Sequence, residues 1–263
     1  PHRPLVFFGL IIAAFLQGYD NTMVAISLPQ LQGPMSATLD EITWLLTIYL
    51  IAVAIAQPVV GPLVDQFGRR NVYLISVGGF AITSILAGSS DTLIELVFYR
   101  FLQGIFSATF QPISQGFVFS EYDLHERGAA MSWWNLGLMA GFVCGPLIGG
   151  YITEFYSWRL AYYLNVPISL ISMFILAVYA KSRPNPTWTR HFSKSGYLIL
   201  IIGLAALQFV LSRGERVDWL ASPQILIGVG ISAIALYLYV VHTFTATHPF
   251  IDIDLFRDRN FMI

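Results

Sequence analysis

The sequence predicts an all-α integral membrane protein, a six-helix bundle followed by two further membrane-spanning helices. Three observations carry that prediction. Of its 263 residues, 56% are apolar and only 11% charged, against roughly a quarter charged in a soluble chain. The mean hydropathy of +0.66 requires most of the surface to face something other than water. The apolar residues also gather into eight stretches of the length a helix needs to cross a hydrocarbon core, about 20 residues. Barrel strands would alternate polar and apolar in segments of about ten residues, and these runs do not alternate. The net charge of −1 gives no whole-chain basic field, so nucleic acid is not an expected partner. Cys144, the single cysteine, forms neither an internal disulfide nor a CxxC site.

Taken in order, each span is bounded by charges or turn formers. The first runs from Leu5 to about Leu31, the second from Ile42 to Val64, and the third from Asn71 to about Gly88. Leu93 to Phe119, Gly128 to Ile152 and Trp158 to Ala180 complete a six-helix domain over residues 1–180. Residues 181–195 carry four basic residues, two prolines and no acid, and read as a cytoplasmic linker that skims the membrane through Trp188 and Phe192. Gly196 to Leu211 and Pro223 to Thr243 are the added pair, within residues 196–244. The seventh span is the shortest, and flanking aromatics extend it. Residues 245–263 form a cytoplasmic connector and the start of a further domain. The first span is too long for a signal peptide. With no initiator methionine and a new apolar run at Phe261-Met262-Ile263, the chain reads as a piece of a longer protein.

The positive-inside rule tests the count. With a cytoplasmic N-terminus and alternating spans, Arg3, Arg69, Arg70, Arg127, the four linker bases, Arg257 and Arg259 all fall inside. Only Arg159, Arg213 and Arg216 fall outside. A miscounted helix would scramble that asymmetry.

Two ionisable residues lie within spans, Asp20 in the first and Arg100 in the fourth. Each costs about 2.5–3.5 kcal/mol at the bilayer centre, and such residues usually mark ion or substrate routes. The opposite directions of the two helices bring them to similar depths. Either they form a static pair that fixes packing, or Asp20 gains and loses a proton as its separation from Arg100 changes. Arg100, Gln103, Gln111 and Ser114 recur along one face of the fourth helix, a stripe suited to a cavity wall or to interhelical hydrogen bonds. Gln103, Gln111 and Asn135 are the candidate cavity residues. Trp133 and Trp134 beside Asn135 suit packing or interface anchoring better than contact with an aromatic substrate.

Between the second and third helices the chain reads Gly61-Pro62-Leu63-Val64-Asp65-Gln66-Phe67-Gly68-Arg69-Arg70. Glycines permit a sharp turn, and charges at helix ends can meet another helix's terminus. This loop resembles the G-x-L-x-D-x-x-G-R-R/K signature of the major facilitator superfamily, departing at Gln66. Leu96-x-x-x-Arg100-x-x-Gln103-Gly104 is similar to that superfamily's L-x-x-x-R-x-x-Q-G, with Phe106 in place of a second glycine. Gly137, Gly141, Gly145 and Gly149 recur every four residues and make a ridge that a neighbouring helix can approach closely. Within it, Gly141-x-x-x-Gly145-Pro146-x-x-Gly149-Gly150 resembles the antiporter signature. Asp20-x-Thr22-x-Val24-x-Ile26-x-Leu28-Pro29, Trp158-Arg159, Asn165-Val166-Pro167 and Pro249 to Phe261 resemble the fourteen-helix drug:proton antiporters, over essentially the whole chain but only the first half of such a transporter. Near-equal offsets between Asp20 and Arg100, and between Gly61-Pro62 and Gly145-Pro146, fit an inverted pair of three-helix repeats.

The resemblance implies proton-coupled secondary export of amphipathic or cationic drugs across a cytoplasmic membrane by alternating access. Asp20 and Arg100 then couple the proton. Gly61, Asp65, Gly68, Arg69 and Arg70 form a cytoplasmic gate, and Gly141, Gly145, Pro146, Gly149 and Gly150 form the sealing segment. The implied partners are small hydrophobic or cationic substrates, membrane lipid and, as one further option, a periplasmic adaptor protein. No cofactor is implied beyond the coupling proton. A same-fold symporter, an exporter of a physiological solute and a non-transporting scaffold stay open as alternatives. The acidic loop of Glu121, Asp123 and Glu126 is either solvated or pairs with Arg69 or Arg70 as an inward gate. The five histidines show no metal spacing, and neither a P-loop nor the paired groups of an enzyme active site appear.

Overall fold

A computed structural model describes residues 3–180 and 193–245. Among these residues eight helices are long and apolar enough to cross a membrane: α1 (Arg3–Gln32), α2 (Leu39–Phe67), α3 (Arg69–Gly88), α4 (Leu93–Glu121), α5 (Leu124–Phe155), α6 (Trp158–Tyr179), α7 (Ser195–Val217) and α8 (Pro223–Thr245). Each coincides with one expected span. Several run past the apolar limits because their caps lie outside the apolar run. Thr38 and Glu41 close a reciprocal capping box at the start of α2, and Thr92 and Glu95 do the same for α4. The short seventh span extends in the same way, with Ser193 Oγ accepting from the Gly196 N–H at 3.2 Å. Trp188, Phe192, His2, His191, His248 and the Pro249–Phe261 segment lie outside the described residues.

The chain divides into two compact units, Pro1–Pro186 and Thr187–Ile263. In the first, α1 packs between α5 and α6, α6 continues to α3, α3 to α4, and α4 to α2. Proline shapes three of these helices. Pro58 sits in a tight turn at Gln57–Val59 within α2. In α4 the helix breaks at Ala108–Thr109, four residues before Pro112, whose missing N–H leaves the Ala108 carbonyl without its usual donor. In α5 Pro146 lies in a wide π-helical turn over Gly145–Gly149. Gly68 joins α2 to α3 at φ 83°, a conformation that side chains rarely adopt.

Of three apolar clusters among the bundle's described residues, the smallest joins Phe7, Ala14, Val118, Ala130 and Trp134, and two larger ones fill the rest. One gathers Leu10, Leu16, Tyr73, Phe80 and Phe110, the other Tyr19, Met23, Leu45, Trp158 and Tyr162. On α1 the change from one to the other falls between Leu16 and Tyr19, beside Asp20. Ile75, Ile82, Ile94, Phe98 and Phe174 are exposed, an outward apolar surface suited to lipid. Among lipid tails helices gain little from hydrophobic burial and associate through close packing and hydrogen bonds. In the second unit, Gly203 of α7 lies against Leu236 and Ala235 of α8, and Ser232 Oγ donates to the Gly203 carbonyl at 3.2 Å.

Candidate functional site

Asp20 and Arg100 meet in the middle of the first unit. Arg100 Nη1 donates to Asp20 Oδ2 at 2.6 Å, and both side chains have no solvent exposure. The other carboxylate oxygen, Oδ1, accepts from Asn165 Nδ2 at 2.8 Å. The pair therefore ties α1 to α4 and α6. Arg100 has further neighbours: Nη1 also donates to Gln103 Oε1 at 2.9 Å, Nε lies 3.5 Å from the Leu45 carbonyl, and Cζ stands 4.4 Å from the centre of the Tyr49 ring. Gln103 is held in turn by its own amide donating to Ser84 Oγ on α3 at 2.7 Å.

Such a pair contributes little net stability. Desolvating two charges offsets most of their attraction, and replacing a buried pair with apolar groups is often neutral or stabilising by about 1–4 kcal/mol. Around it several polar atoms are buried without a hydrogen-bond partner: Arg100 Nη2, Asn165 Oδ1 and the hydroxyls of Tyr19, Tyr49 and Tyr162. Each such atom costs about 1–3 kcal/mol when left unpaired. Packing alone would select against this arrangement.

The glycine ridge of α5 faces α1. A Cβ at Gly137 would strike Ile11, at Gly141 the Phe15 carbonyl, at Gly145 Thr22 Oγ1, and at Gly149 Met23. At Gly145 the Cβ would also meet the Tyr19 carbonyl, so the contacts with Ile11, Phe15, Tyr19 and Met23 climb both helices together in steps of four residues, as in a parallel pair with backbones in direct contact. Gly18 of α1 completes the seam, lying against the Leu138 carbonyl. Gly150 stands apart, since a Cβ there would come no nearer than 3.7 Å to Ile26, and Pro146 is exposed.

The expected loop is almost wholly helical, with only Gly68 between α2 and α3. From the first turn of α3, Arg69 Nη1 donates to Ser120 Oγ at the end of α4 at 2.7 Å, and Arg70 Nη2 donates to the Ala177 carbonyl in the last turn of α6 at 2.6 Å. The latter is a cation on a helix C-terminus, where the macrodipole favours it. Asp65 is exposed, and Gly61 has open space around it. Glu126 pairs with Arg3, whose guanidinium lies 3.6 Å from the Tyr122 ring centre, so the acidic loop fastens the start of α1.

The candidate cavity residues separate. Gln103 is fully buried in the polar network, whereas Gln111 and Asn135 are exposed. The α4 stripe does not stay on one face: Ser114, beyond the break at Ala108–Thr109, is as fully buried as Arg100 and Gln103, whereas Gln111 is exposed. Trp134 is buried and Trp133 exposed. Asn165, Ser84, Tyr49 and Tyr162 belong to the site's surroundings and were not singled out for it by sequence. A signal existed on α6, where Tyr162, Asn165, Ser169 and Ser172 recur at helical spacing and are all fully buried.

Comparison with known proteins accords with this architecture. The chain is 32% identical over 259 residues to the multidrug export protein EmrB of Escherichia coli strain K12, covering 98% of this chain and 51% of the relative. It is 33% identical to the probable multidrug resistance protein EmrY of the same strain, and 31% identical to the fatty acid resistance protein FarB of Neisseria gonorrhoeae. The chain thus spans about half the length of these curated relatives. Among solved structures, a D-xylose-proton symporter superposes with a TM-score of 0.62 at 15% identity, over 91% of this chain and 67% of that one, a likeness of fold. The model of the Major Facilitator Superfamily matches residues 10–253, and the chain, a multi-pass membrane protein, belongs to that superfamily.

Proposed function

We propose that the chain belongs to a proton-coupled secondary exporter of amphipathic or cationic drugs that works by alternating access in the cytoplasmic membrane, with its N-terminus in the cytoplasm. In this reading residues 1–180 are the N-terminal transport domain, 181–195 a cytoplasmic linker, 196–244 two added helices, and 245–263 lead into a second domain. The similarity to multidrug export proteins supports the substrate class. Small hydrophobic or cationic substrates and membrane lipid are its partners, with a periplasmic adaptor as a further option, and the proton is its coupling ion.

The observation that carries the reading is the fully buried Asp20–Arg100 pair. Two charges kept in oil at little net gain are better explained by transport than by stability. When Asp20 is ionised it holds Arg100. When protonated it releases the guanidinium, which keeps Gln103 Oε1, the Leu45 carbonyl and the Tyr49 ring as partners. Asn165 can serve both states, donating to the carboxylate or accepting from the acid. A coupling proton must bind differently in the inward and outward states to shift their balance, and the distance between Asp20 and Arg100 supplies that difference.

The rest of the site has mechanical roles in this reading. Gly61, Asp65, Gly68, Arg69 and Arg70 latch the cytoplasmic side, Arg69 and Arg70 through Ser120 and Ala177. Gly141, Gly145, Pro146, Gly149 and Gly150 let α5 seal against α1 and rock. Gln111 and Asn135 face the substrate cavity, and Gln103 acts through Arg100. The test is Asp20→Asn in vesicles with an imposed pH gradient. Proton-driven export is expected to disappear while membrane insertion persists, and normal export by the variant overturns the assignment.

A further inference from the structure

We propose that the Asp20–Arg100 pair adjoins a binding site for a small cluster of water, held by Arg100 Nη2, Asn165 Oδ1 and the hydroxyls of Tyr49 and Tyr162. This water exchanges the proton with Asp20. The exchange rests on the coupling role proposed above, whereas the site itself does not.

The four atoms are buried and without a hydrogen-bond partner, and two of them belong to the residues that hold the Asp20 carboxylate. The remaining nitrogen of the Asn165 amide is on Asp20 Oδ1, and the other terminal nitrogen of Arg100 is on Oδ2. Tyr162 precedes Asn165 by one helical turn on α6. The Tyr49 and Tyr162 hydroxyls both interact electrostatically with Asp20 and Arg100. Tyr19, next to Asp20, brings a third unpartnered hydroxyl. Ser107 neighbours the Tyr49 hydroxyl and gives its own hydrogen to the Gly104 carbonyl at 3.1 Å, so it can only accept from the phenol and leaves the phenol's acceptor lone pairs without a donor. Tyr73 is the contrast: it is as deeply buried, yet its hydroxyl is 2.9 Å from Ser172 Oγ and 3.4 Å from the Gly9 carbonyl. Burial alone therefore does not leave a tyrosine hydroxyl unpartnered in the first unit.

Hydrogen-bond chemistry selects the occupant. Arg100 Nη2 only donates, Asn165 Oδ1 only accepts, and the phenols do both. An anion would suit the guanidinium and the phenols but oppose Asn165 Oδ1 and Asp20. A metal cation would suit those two oxygens but oppose Arg100. Water donates and accepts, and buried water typically bridges such otherwise unpaired groups through about three hydrogen bonds. An ionised carboxylate offers about four lone-pair sites, and two at Asp20 are taken, so acceptor positions are left for the water. In the exchange a hydronium in the cluster breaks one O–H bond and is left as water, while one O–H bond forms on Asp20. The neutral acid then lets Arg100 go.

Hydroxyl-radical footprinting of the intact protein in lipid nanodiscs tests the site, because radicals produced from bound water oxidise the side chains beside it. Tyr49 and Tyr162 are expected to react about tenfold or more faster than Tyr73. Rates for both no higher than that of Tyr73 overturn the proposal. In Tyr162→Phe the cluster loses one partner and Tyr49 oxidation is expected to fall; an unchanged rate removes Tyr162 from the site. Transport by Asp20→Asn separates the two readings. Oxidised tyrosines with normal export leave the water site and remove the coupling. Unreactive tyrosines with lost export leave the coupling and remove the water site.

Discussion

Among single residues the central question is whether the Asp20–Arg100 pair holds the bundle together or drives transport, and a double-mutant cycle separates the two. Arg100→Met leaves a buried carboxylate without its cation and is expected to cost about 3–5 kcal/mol in thermal unfolding. Adding Asp20→Asn removes that carboxylate's charge, so much of the loss should return, with a coupling energy of about 0.5–3 kcal/mol. Export should not return with it; recovery of both would reduce the pair to packing. Asn165→Leu removes a hydrogen bond to a charged group at 2.8 Å and is expected to cost about 1.5–3 kcal/mol, read from the same unfolding measurement. The two charges were legible in sequence because an ionisable residue in an apolar run is anomalous on its own. Ser84 and Tyr49 were not, and Asn165 stood out only within a resemblance, since uncharged polar residues occur throughout such helices and gain meaning only from what they face. Gln103 was legible as polar but not as buried, because the spacing that puts it beside Arg100 does not say which side of α4 is covered.

For whole elements, the seam between α1 and α5 decides how the bundle can move. Without side chains along Gly137, Gly141, Gly145 and Gly149, the two backbones touch, and a Cβ at Gly141 or Gly145 meets the Phe15 carbonyl or Thr22 Oγ1. Gly145→Ala is therefore expected to destabilise the first unit by about 1–3 kcal/mol through overpacking. Gly150→Ala, whose Cβ would sit 3.7 Å from Ile26, should leave the unfolding temperature nearly unchanged. Equal losses at the two positions would mean that the seam is looser than described. Gly68→Ala tests a different cause, since a φ of 83° strains any side chain by about 1–3 kcal/mol. The glycine ridge was visible in its four-residue period, and the existence of every span in its apolar length. The partner of the ridge was not visible, because periodicity identifies a bare face and leaves its neighbour to the topology. The interruptions in α2 and α4 were carried by Pro58 and Pro112, residues that hydropathy does not weigh.

Across the molecule, the first unit presents two kinds of outward surface at membrane depth. Ile171 and Phe174 on α6 are exposed and apolar, whereas Gln111 on α4 and Asn135 on α5 are exposed and polar. An amide facing hydrocarbon without a partner is costly, so the polar face is expected to look onto water or other protein. The chain spans about half the length of its curated relatives, and in the proposed transporter the remainder supplies the opposite wall of the cavity. Cysteine accessibility in the intact protein distinguishes these faces. Only the thiolate reacts with a maleimide, and a thiol ionises only where water reaches it. In a Cys144→Ser background, which removes the half-buried native thiol, Gln111→Cys and Asn135→Cys should react with a membrane-impermeant maleimide at least about tenfold faster than Ile171→Cys and Phe174→Cys. A substrate should slow the first two and leave the α6 positions unchanged. Equal rates at all four would show that α4 and α5 face lipid, and the cavity would then have to lie on another face of the bundle.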